Sequence, residues 1–364
     1  MHITIVVGAR PNFMKVAPII EEINKRSKIA ANIGFSLVHT GQHYDNEMSD
    51  NFFVDLNIPR PDAFLGCKGE THAKLTASII VEFESYLINN NTDLVLVVGD
   101  VTSTMACALA AAKLNIKVAH VEAGIRSNDW SMPEEINRLV TDSITSYFFT
   151  TSRISTRYLI DSGVSPQNIC FAGNTMIDTL INNYSRLKSP SFWDYYKLDA
   201  KKYILLTLHR PSNVDDLVVL KLIIEKILEF SDGFPIIFSI HPRTKQKFSL
   251  LNINSDNLIL VDPMRYHEFN FLVKNSLFVI TDSGGVSEET TYLKIPCLTI
   301  RSTTERPETV LEGSNLLIGN DFGLLKTSFN DIFNGIYKKS SIPENWDGNA
   351  SKRIVDFLEQ ILIK

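Results

Sequence analysis

The sequence predicts an α/β protein with two consecutive Rossmann-like domains. Short runs rich in β-branched residues alternate with longer stretches of helical periodicity, a pattern typical of a parallel sheet covered on both faces. The alternation stops after residues 173–174, passes through a polar stretch to Lys201, and then restarts as a second set of similar size. The length of 364 residues also favours two domains over one.

The first half of the chain provides six candidate strands with helices between them. Each strand is a short apolar run, and each helix is a longer stretch with a periodic apolar face. The strands are expected at residues 3–7, 34–39, 94–98, 118–122, 147–150 and 169–172, and the helices include 16–25, 71–89, 104–114 and 133–145.

The second half repeats this pattern. Its strands are expected at residues 203–207, 235–240, 258–261, 277–281, 297–300 and 316–318. Because ligands bind beyond the carboxyl ends of strands in such sheets, we expect the functional site in the cleft between the two domains.

Composition excludes several classes of partner. The net charge is −5 and no long run of Lys or Arg is present, so we expect no nucleic-acid partner. No apolar run approaches the roughly 20 residues of a bilayer span, and no signal-peptide pattern precedes the first strand, so we expect no membrane partner. The chain has four cysteines, Cys67, Cys107, Cys170 and Cys297. Their spacing is not that of metal ligands, so we expect free thiols in the cytoplasm and no bound metal.

A glycine turn after the first strand carries two fixed cations, Arg10 and Lys15. The turn at Gly8 joins a strand to a helix and presents backbone N–H groups, where anions bind well. We therefore expect a phosphate ligand here. The alternative is a tight strand-to-helix turn whose cations are only solvated.

Three carboxylates follow neighbouring strands of the first domain. Asp100 follows strand 94–98, Glu122 ends strand 118–122, and Glu134 lies in the first turn of a helix that a proline opens. This placement makes them candidates for acid/base chemistry. The alternatives are an N-cap role for Asp100 and complementation of the helix dipole by Glu134.

Cations follow the strands of the second domain. His209 and Arg210 come directly after strand 203–207, and His241 comes after strand 235–240. An imidazole and a guanidinium at the carboxyl end of a strand can bind an anionic ligand.

A glycine turn also follows strand 277–281. Ser283, Gly284 and Gly285 open a helix here, so a hydroxyl and bare amides can hold a diphosphate, while Glu289 can accept hydrogen bonds from ribose hydroxyls. No GxGxxG fingerprint occurs in this turn or at the glycines of the first domain. NAD is therefore disfavoured, and we expect no cofactor.

In their order and approximate spacing, these motifs resemble the non-hydrolysing UDP-N-acetylglucosamine 2-epimerases. The likeness covers essentially the whole chain. The matching motifs are Arg10-Pro11 with Lys15, Gly99-Asp100, His120-Val121-Glu122-Ala123-Gly124-Ile125-Arg126, Pro133-Glu134-Glu135-Ile136-Asn137-Arg138, Gly173-Asn174-Thr175, His209-Arg210, Thr281-Asp282-Ser283-Gly284-Gly285 and Thr303-Thr304-Glu305-Arg306-Pro307-Glu308.

The resemblance implies a GT-B fold, with two Rossmann-like domains, a cleft between them and a C-terminal helix that returns to the first domain. We assign that helix to residues 351–362. The implied domains are 1–172 plus 351–364, which carries the acid/base carboxylates, and 173–350, which binds UDP. We also expect a homodimer.

The family interconverts UDP-GlcNAc and UDP-ManNAc, a step in making precursors of cell-surface polysaccharides. The resemblance implies acid/base roles for Asp100, Glu122 and Glu134, and cationic contacts to the departing diphosphate from Arg10, Lys15 and His209. It also implies that the phosphates and the ribose are bound by Ser283, Gly284, Gly285 and Glu289. Two further substrate contacts are implied, from Arg210 and His241. Phe269 is implied to contact uracil. The alternative for Phe269 is a core aromatic.

Several alternatives stay open at this point. Residues 40–49 look closer to relatives that act on other UDP-2-acetamido sugars, including a diacetamido-glucuronate, whereas residues 303–308 favour the GlcNAc enzymes. Asn12 stands where many bacterial members have Glu. A GT-B glycosyltransferase would share the nucleotide site, and a non-catalytic UDP-sugar sensor is the binding-module alternative.

Overall fold

The structure, a computed structural model, describes residues 1–28, 33–42, 53 and 55–362, with only the backbone described for Arg10 and Leu362. Its contacts divide the chain into two units, one of Met1–Asn183 with Glu344–Lys364 and one of Tyr184–Pro343. Each unit contains a parallel sheet and helices, so the predicted α/β class is confirmed.

Within the described residues, the first unit has one sheet of seven parallel strands. These are β1 (His2–Val7), β2 (Gly34–His39), β3 (Ala63–Phe64), β4 (Leu94–Val98), β5 (Lys117–Val121), β6 (Tyr147–Thr150) and β7 (Ile169–Phe171). Their order in the sheet is β3-β2-β1-β4-β5-β6-β7. The order changes direction between β1 and β4, and ligands of α/β sheets bind at such a switch point.

The helices of the first unit cover this sheet. They are α1 (Arg10–Ser27), α2 (His72–Asn89), α3 (Thr102–Lys113), α4 (Pro133–Ile144), α5 (Arg153–Asp161) and α6 (Thr175–Asn183). Every residue of β4 is buried, as expected for a central strand with helices on both faces. The predicted strands and the helices α2 to α4 lie within two residues of their expected bounds.

Helix α1 begins at Arg10, so the prediction that the turn extends through Lys15 was wrong. Pro11 lies in the first helical turn, where its missing N–H costs no hydrogen bond. The Asn12 Oδ1 atom accepts hydrogen bonds from the backbone N–H groups of Gly8 and Ala9, at 3.1 and 2.9 Å. These contacts allow the helix to start directly after the strand, and they place Lys15 on the helix.

The second unit has a sheet of six parallel strands among the residues described. These are β8 (Ile204–Thr207), β9 (Ile236–Ser239), β10 (Leu258–Val261), β11 (Phe278–Thr281), β12 (Cys297–Thr299) and β13 (Asn315–Leu317), in the order β10-β9-β8-β11-β12-β13. The helices are α7 (Pro211–Val214), α8 (Leu217–Phe230), α9 (Pro242–Phe248), α10 (Tyr266–Asn275), α11 (Gly284–Leu293), α12 (Pro307–Leu311) and α13 (Phe322–Phe333).

The C-terminal helix α14 (Ala350–Leu362) belongs to the first unit, as expected. It packs against α1 and β7. Arg26 of α1 forms ion pairs with Asp356 and Glu359 of α14, both at 2.7 Å. The C-terminal end of the chain therefore packs on the first unit.

The division between the units lies at 183/184 and 343/344, whereas we expected 172/173 and 350/351. Helix α6 packs against α1, and Thr179 donates a hydrogen bond to the Met14 carbonyl oxygen at 2.5 Å. On the returning segment, the Trp346 Nε1 atom donates to the Thr151 carbonyl oxygen at 3.1 Å. Both segments therefore share contacts with the first unit.

Candidate active site

A buried ion pair lies beyond the carboxyl ends of the central strands of the first unit. Lys15 Nζ, on α1, donates to Glu122 Oε2, directly after β5, at 2.6 Å. The two side chains are 10% and 2% exposed, so each charge has lost most of its water and depends on the other. The structure thus brings together two residues that the sequence places 107 positions apart.

Two left-handed turns surround this pair. Gly99, after β4, has φ +70°, and a Cβ added there would lie 3.1 Å from Lys15 Nζ. Glu122 itself has φ +70°, a conformation that non-glycine residues seldom adopt. Such strain persists only where surrounding contacts impose it, and it is concentrated at functional sites.

Asp100 is anchored by an arginine that the sequence analysis did not single out. The Arg138 Nη2 atom donates to Asp100 Oδ2 at 2.5 Å, and Nη1 donates to Glu135 Oε2 at 2.8 Å. Asn137 Nδ2 also donates to the Asp100 backbone carbonyl oxygen at 2.8 Å. The spacing of Glu135 and Arg138 on one helical face was the available signal.

Glu135 anchors a loop and does not face solvent. It accepts hydrogen bonds from the Ser127 backbone and hydroxyl at 2.8 and 2.9 Å, besides the bond from Arg138. Burial alone would raise the pKa of Glu135, but these donors lower it below its usual value. Glu134, its neighbour in the first turn of α4, is only half-buried, and no ion pair to it occurs among the described residues.

Asn12 occupies a position where a carboxylate would not make the same contacts. Its Nδ2 atom donates to the Val98 carbonyl oxygen at 3.1 Å, while its Oδ1 atom accepts from the turn after β1. A glutamate could not donate to that carbonyl oxygen. Asn12, which stands where many bacterial members of the family have Glu, therefore makes hydrogen bonds that a glutamate at this position would not make.

In the second unit, His209 is held by Asp282, which the sequence analysis did not assign to the site. The His209 Nδ1 atom lies 2.7 Å from Asp282 Oδ1. Asp282 is fully buried, whereas the His209 side chain is 46% exposed, so the carboxylate binds one nitrogen of a ring that stays partly accessible.

Asp282 also accepts hydrogen bonds from the backbone N–H groups of His209 and Arg210 and from Asn213 Nδ2, at 2.9 to 3.1 Å. Burial would raise the pKa of Asp282, but the His209 side chain, the Arg210 N–H group and Asn213 lower it below its usual value. The Arg210 Nε atom donates to the Asp282 carbonyl oxygen at 3.0 Å. One aspartate thus orients both predicted cations.

The glycine turn of the second unit opens α11 as expected. The Ser283 N–H donates to Thr281 Oγ1 at 3.0 Å, and a Cβ added at Gly284 would meet no heavy atom within 4 Å. Gly285 follows in the first helical turn. Phosphate binding by Ser283, Gly284 and Gly285 stays a prediction, and the open space before the helix is compatible with it.

Glu289 lies further along α11 and is buried. It accepts a hydrogen bond from Asn270 Nδ2 at 3.1 Å, and burial raises its pKa to about 7. Phe269 packs, partly buried, against a core cluster of the second unit that includes Tyr203 and Val279. This packing matches the core alternative for Phe269, and its contact to uracil stays a prediction.

The remaining predicted contacts are less defined. His241 is exposed after β9, where its Nδ1 atom accepts from the Arg243 N–H at 3.3 Å and caps α9. The side chain of Arg10 lies outside the described residues, as do residues 43–49 of the segment that bears on substrate choice. Their roles stay predictions.

Neither a metal cluster nor a membrane helix is found in the part of the chain that the structure describes. No three His, Cys, Asp or Glu side chains converge there as metal ligands. No helix in the same residues is long and apolar enough to cross a bilayer. All four cysteines belong to the described residues and are free.

The model of the family described as UDP-N-acetylglucosamine 2-epimerase matches residues 24–359. The chain is 39% identical to a UDP-N-acetylglucosamine 2-epimerase of Methanocaldococcus jannaschii, over 98% of this chain and 99% of that protein. The chain belongs to the UDP-N-acetylglucosamine 2-epimerase family. The predicted family and its enzyme class, an isomerase, are thus confirmed.

Solved structures extend this result to the fold. A crystal structure of the M. jannaschii UDP-GlcNAc 2-epimerase in complex with UDP-GlcNAc and UDP superposes with a TM-score of 0.88 at 39% identity, over 99% of this chain and 100% of that one. A Pseudomonas aeruginosa UDP-2,3-diacetamido-2,3-dideoxy-D-glucuronate 2-epimerase is 35% identical over 99% of this chain and 100% of that protein. The family therefore includes more than one sugar specificity.

Proposed function

We propose that this chain is a non-hydrolysing UDP-N-acetylglucosamine 2-epimerase that interconverts UDP-GlcNAc and UDP-ManNAc. The observation that carries the proposal is the pair of anchored carboxylates in the first unit. Glu122 is bound by Lys15 at 2.6 Å, and Asp100 is bound by Arg138 at 2.5 Å. An epimerisation needs two acid/base groups that work on opposite faces of one carbon, and these are the groups that we assign to it.

The chemistry explains why cations are also required. The C2 proton of the sugar has no neighbouring carbonyl to acidify it. Breaking the C1–O bond to UDP gives C1 oxocarbenium character, which makes the C2–H bond acidic. One carboxylate then takes the proton, leaving 2-acetamidoglucal and UDP. Protonation of C2 from the opposite face, with the UDP oxygen re-forming the bond to C1, completes the inversion.

We assign the UDP to the second unit, where His209 and Arg210 are oriented by Asp282. Fixed cations stabilise the charge that develops on the departing diphosphate. Ser283, Gly284 and Gly285 supply backbone and hydroxyl donors, and Glu289 is assigned to the ribose. We further propose a homodimer that acts in the cytoplasm, as its free thiols suggest, and that feeds polysaccharide precursor synthesis.

Solvent deuterium incorporation tests the reaction. UDP-GlcNAc incubated in D₂O without an acceptor should return UDP-GlcNAc and UDP-ManNAc with deuterium at C2. No exchange, together with sugar transfer when an acceptor is added, would indicate a GT-B glycosyltransferase. Release of free ManNAc would indicate a hydrolysing epimerase. Faster exchange with the diacetamido-glucuronate donor would assign the chain to that specificity, which the P. aeruginosa relative keeps open as a second candidate.

The assignment of Asp100 has a matched control at the other end of the same strand. Asp100 follows β4, whereas Asp93, an exposed carboxylate, precedes it. Asp100→Asn should lower exchange by about two to four orders of magnitude, the usual contribution of a positioned proton-transfer group. Asp93→Asn should leave exchange unchanged. Near-normal exchange in Asp100→Asn would remove Asp100 from the mechanism.

A further inference from the structure

The first unit contains a further buried carboxylate besides Glu122 and Glu135. Asp142, on α4, is 5% exposed, and its two oxygens bind different partners. Oδ1 lies 2.8 Å from His120 Nδ1, while Oδ2 lies 2.7 Å from Arg126 Nη1 and accepts from the Gly124 N–H at 3.1 Å. Burial alone would raise the pKa of Asp142, but these donors lower it, so the carboxylate is charged.

His120 connects this carboxylate to the turn that precedes Asp100. The ring is fully buried on β5, and its Nε2 atom lies 2.8 Å from the Gly99 carbonyl oxygen. A carbonyl oxygen and a carboxylate oxygen both only accept hydrogen bonds. The two ring nitrogens therefore link the Asp142 carboxylate to the Gly99 turn.

The same carboxylate fixes the turn that carries Glu122. Glu122 has φ +70° and Gly124, two residues later, has φ +75°, so this turn depends on contacts that hold the non-glycine residue in a left-handed conformation. The bond from the Gly124 N–H to Asp142 is one such contact. The others run from the N–H groups of Glu122 and Ala123 to the Phe149 carbonyl oxygen, at 3.0 and 3.1 Å.

Asp142 also shares its helix with the third carboxylate. Helix α4 carries Glu134 in its first turn and Arg138, which binds Asp100, in its second. One side chain is therefore linked to the Gly99 turn through His120, to the Glu122 turn through Gly124, and to α4 by the backbone.

We propose that Asp142 is a positioning residue that sets the relative placement of Asp100, Glu122 and Glu134. It acts through His120 and Gly124 and does not touch the reacting atoms. This inference rests on the proposed epimerase function. A misplacement of about 1 Å can lower turnover 100-fold, so a single anchor for three acid/base groups has a large effect on the rate.

Asp142→Asn tests this role, because the amide keeps one acceptor and turns an N–H group towards a donor. We expect kcat for C2 exchange to fall by about 100-fold. The Kd for UDP, measured by calorimetry, should stay within about twofold, because the Asp142 side chain contacts His120, Arg126 and Gly124 and none of the cations predicted for the diphosphate. Hydrogen exchange at the Gly124 amide should be slow in the wild type and faster in the variant.

Asp178→Asn is the matched control. Asp178 is a second buried carboxylate of the first unit, and it accepts bonds from the Ala350 and Ser351 N–H groups and from the Ser351 hydroxyl. This variant should lose thermal stability and keep its kcat. If Asp142→Asn does not fold, Asp142→Glu retains the charge but displaces the carboxylate, and the same loss of kcat at constant UDP affinity is expected.

Three results would overturn the proposal. They are a folded Asp142 variant with kcat within about twofold of the wild type, a parallel loss of UDP affinity, and an unchanged exchange rate at the Gly124 amide. If the wild type shows no C2 exchange at all, the proposed function fails instead. The Gly124 amide would then still decide whether Asp142 holds the turn.

Discussion

Lys15 Nζ lies 2.6 Å from Glu122 Oε2, and both side chains are buried. This contact gives Lys15 a partner that the sequence analysis did not anticipate, since that analysis assigned Lys15 to the departing diphosphate. A lysine beside an acid/base carboxylate also influences proton transfer directly. The two roles predict different outcomes for substitutions at this position.

Lys15→Met should remove the cation that lies 2.6 Å from the buried Glu122 carboxylate. Removing one partner of a buried ion pair costs about 3 kcal/mol of unfolding free energy, to be measured by urea denaturation. Combining Lys15→Met with Glu122→Gln should cost less than the two single changes together. Additive losses would contradict the coupling. UDP affinity measured in the same variant tests the diphosphate role separately.

Lys25→Met provides the control on the same helix. The Lys25 side chain is 74% exposed, and its Nζ atom lies 3.9 Å from Glu22. Exposed ion pairs at this distance contribute little, so the unfolding free energy should change by less than about 0.5 kcal/mol.

Gly99→Ala should impair both stability and catalysis. The left-handed backbone at φ +70° costs about 1 kcal/mol for alanine, and the new Cβ would press against Lys15 Nζ at 3.1 Å. Gly163→Ala isolates the first effect, because Gly163 has φ +91° and open space around its Cβ position. We expect a similar loss of thermal stability in both variants and loss of C2 exchange only in Gly99→Ala. Equal exchange rates would show that crowding at Lys15 is harmless.

Asp282→Asn should weaken UDP binding by about tenfold, since hydrogen bonds to charged groups contribute about 1.5 kcal/mol or more. The amide removes the charge that faces His209 Nδ1 and disturbs the backbone bonds of Arg210. Calorimetric titration with UDP measures the change. Asp262→Asn, at an exposed aspartate that pairs with Lys245, is the control. Unchanged UDP affinity in Asp282→Asn would show that the contact between Asp282 and His209 does not contribute to nucleotide binding.

The buried carboxyl group of Glu308 should make the free energy of unfolding depend on pH. Both carboxyl oxygens are buried without a hydrogen-bond partner among the described residues, and burial raises the pKa to about 7 from 4.5. Between these values the folded state binds more protons than the unfolded chain, so the free energy of unfolding falls as pH rises. The loss is about 1.4 kcal/mol for each pH unit of that window.

Glu308→Gln should remove this dependence. Relative to the wild type, the free energy of unfolding of the variant should rise by about 3 kcal/mol between pH 4.5 and pH 8. Urea denaturation at the two pH values measures it. Glu312→Gln, at an exposed neighbour, should leave the pH dependence unaltered. A constant difference between Glu308→Gln and the wild type at both pH values would contradict the prediction.

Local sequence was sufficient for most of the elements. The run Leu94–Val98 reads as a buried strand because five apolar, β-rich residues in succession fit a sheet covered on both faces. The start of α1 was missed because a proline suggests a turn, whereas Pro11 is tolerated in a first helical turn. Asp100, Glu122 and His209 could be predicted as site candidates because their positions after strands are evident from the local sequence.

The partners of those residues were decided by the tertiary structure. Lys15 and Glu122 are 107 residues apart, and His209 and Asp282 are 73 apart. Hydrophobic periodicity determines which residues form a strand or helix, and so which end of a strand a polar group follows. Which carboxylate meets which cation depends on strand order and on turns such as Gly99. Strand order and turn geometry arise only when distant segments pack. They therefore decide that Arg138, Asp142 and Asp282 contact the candidate site residues.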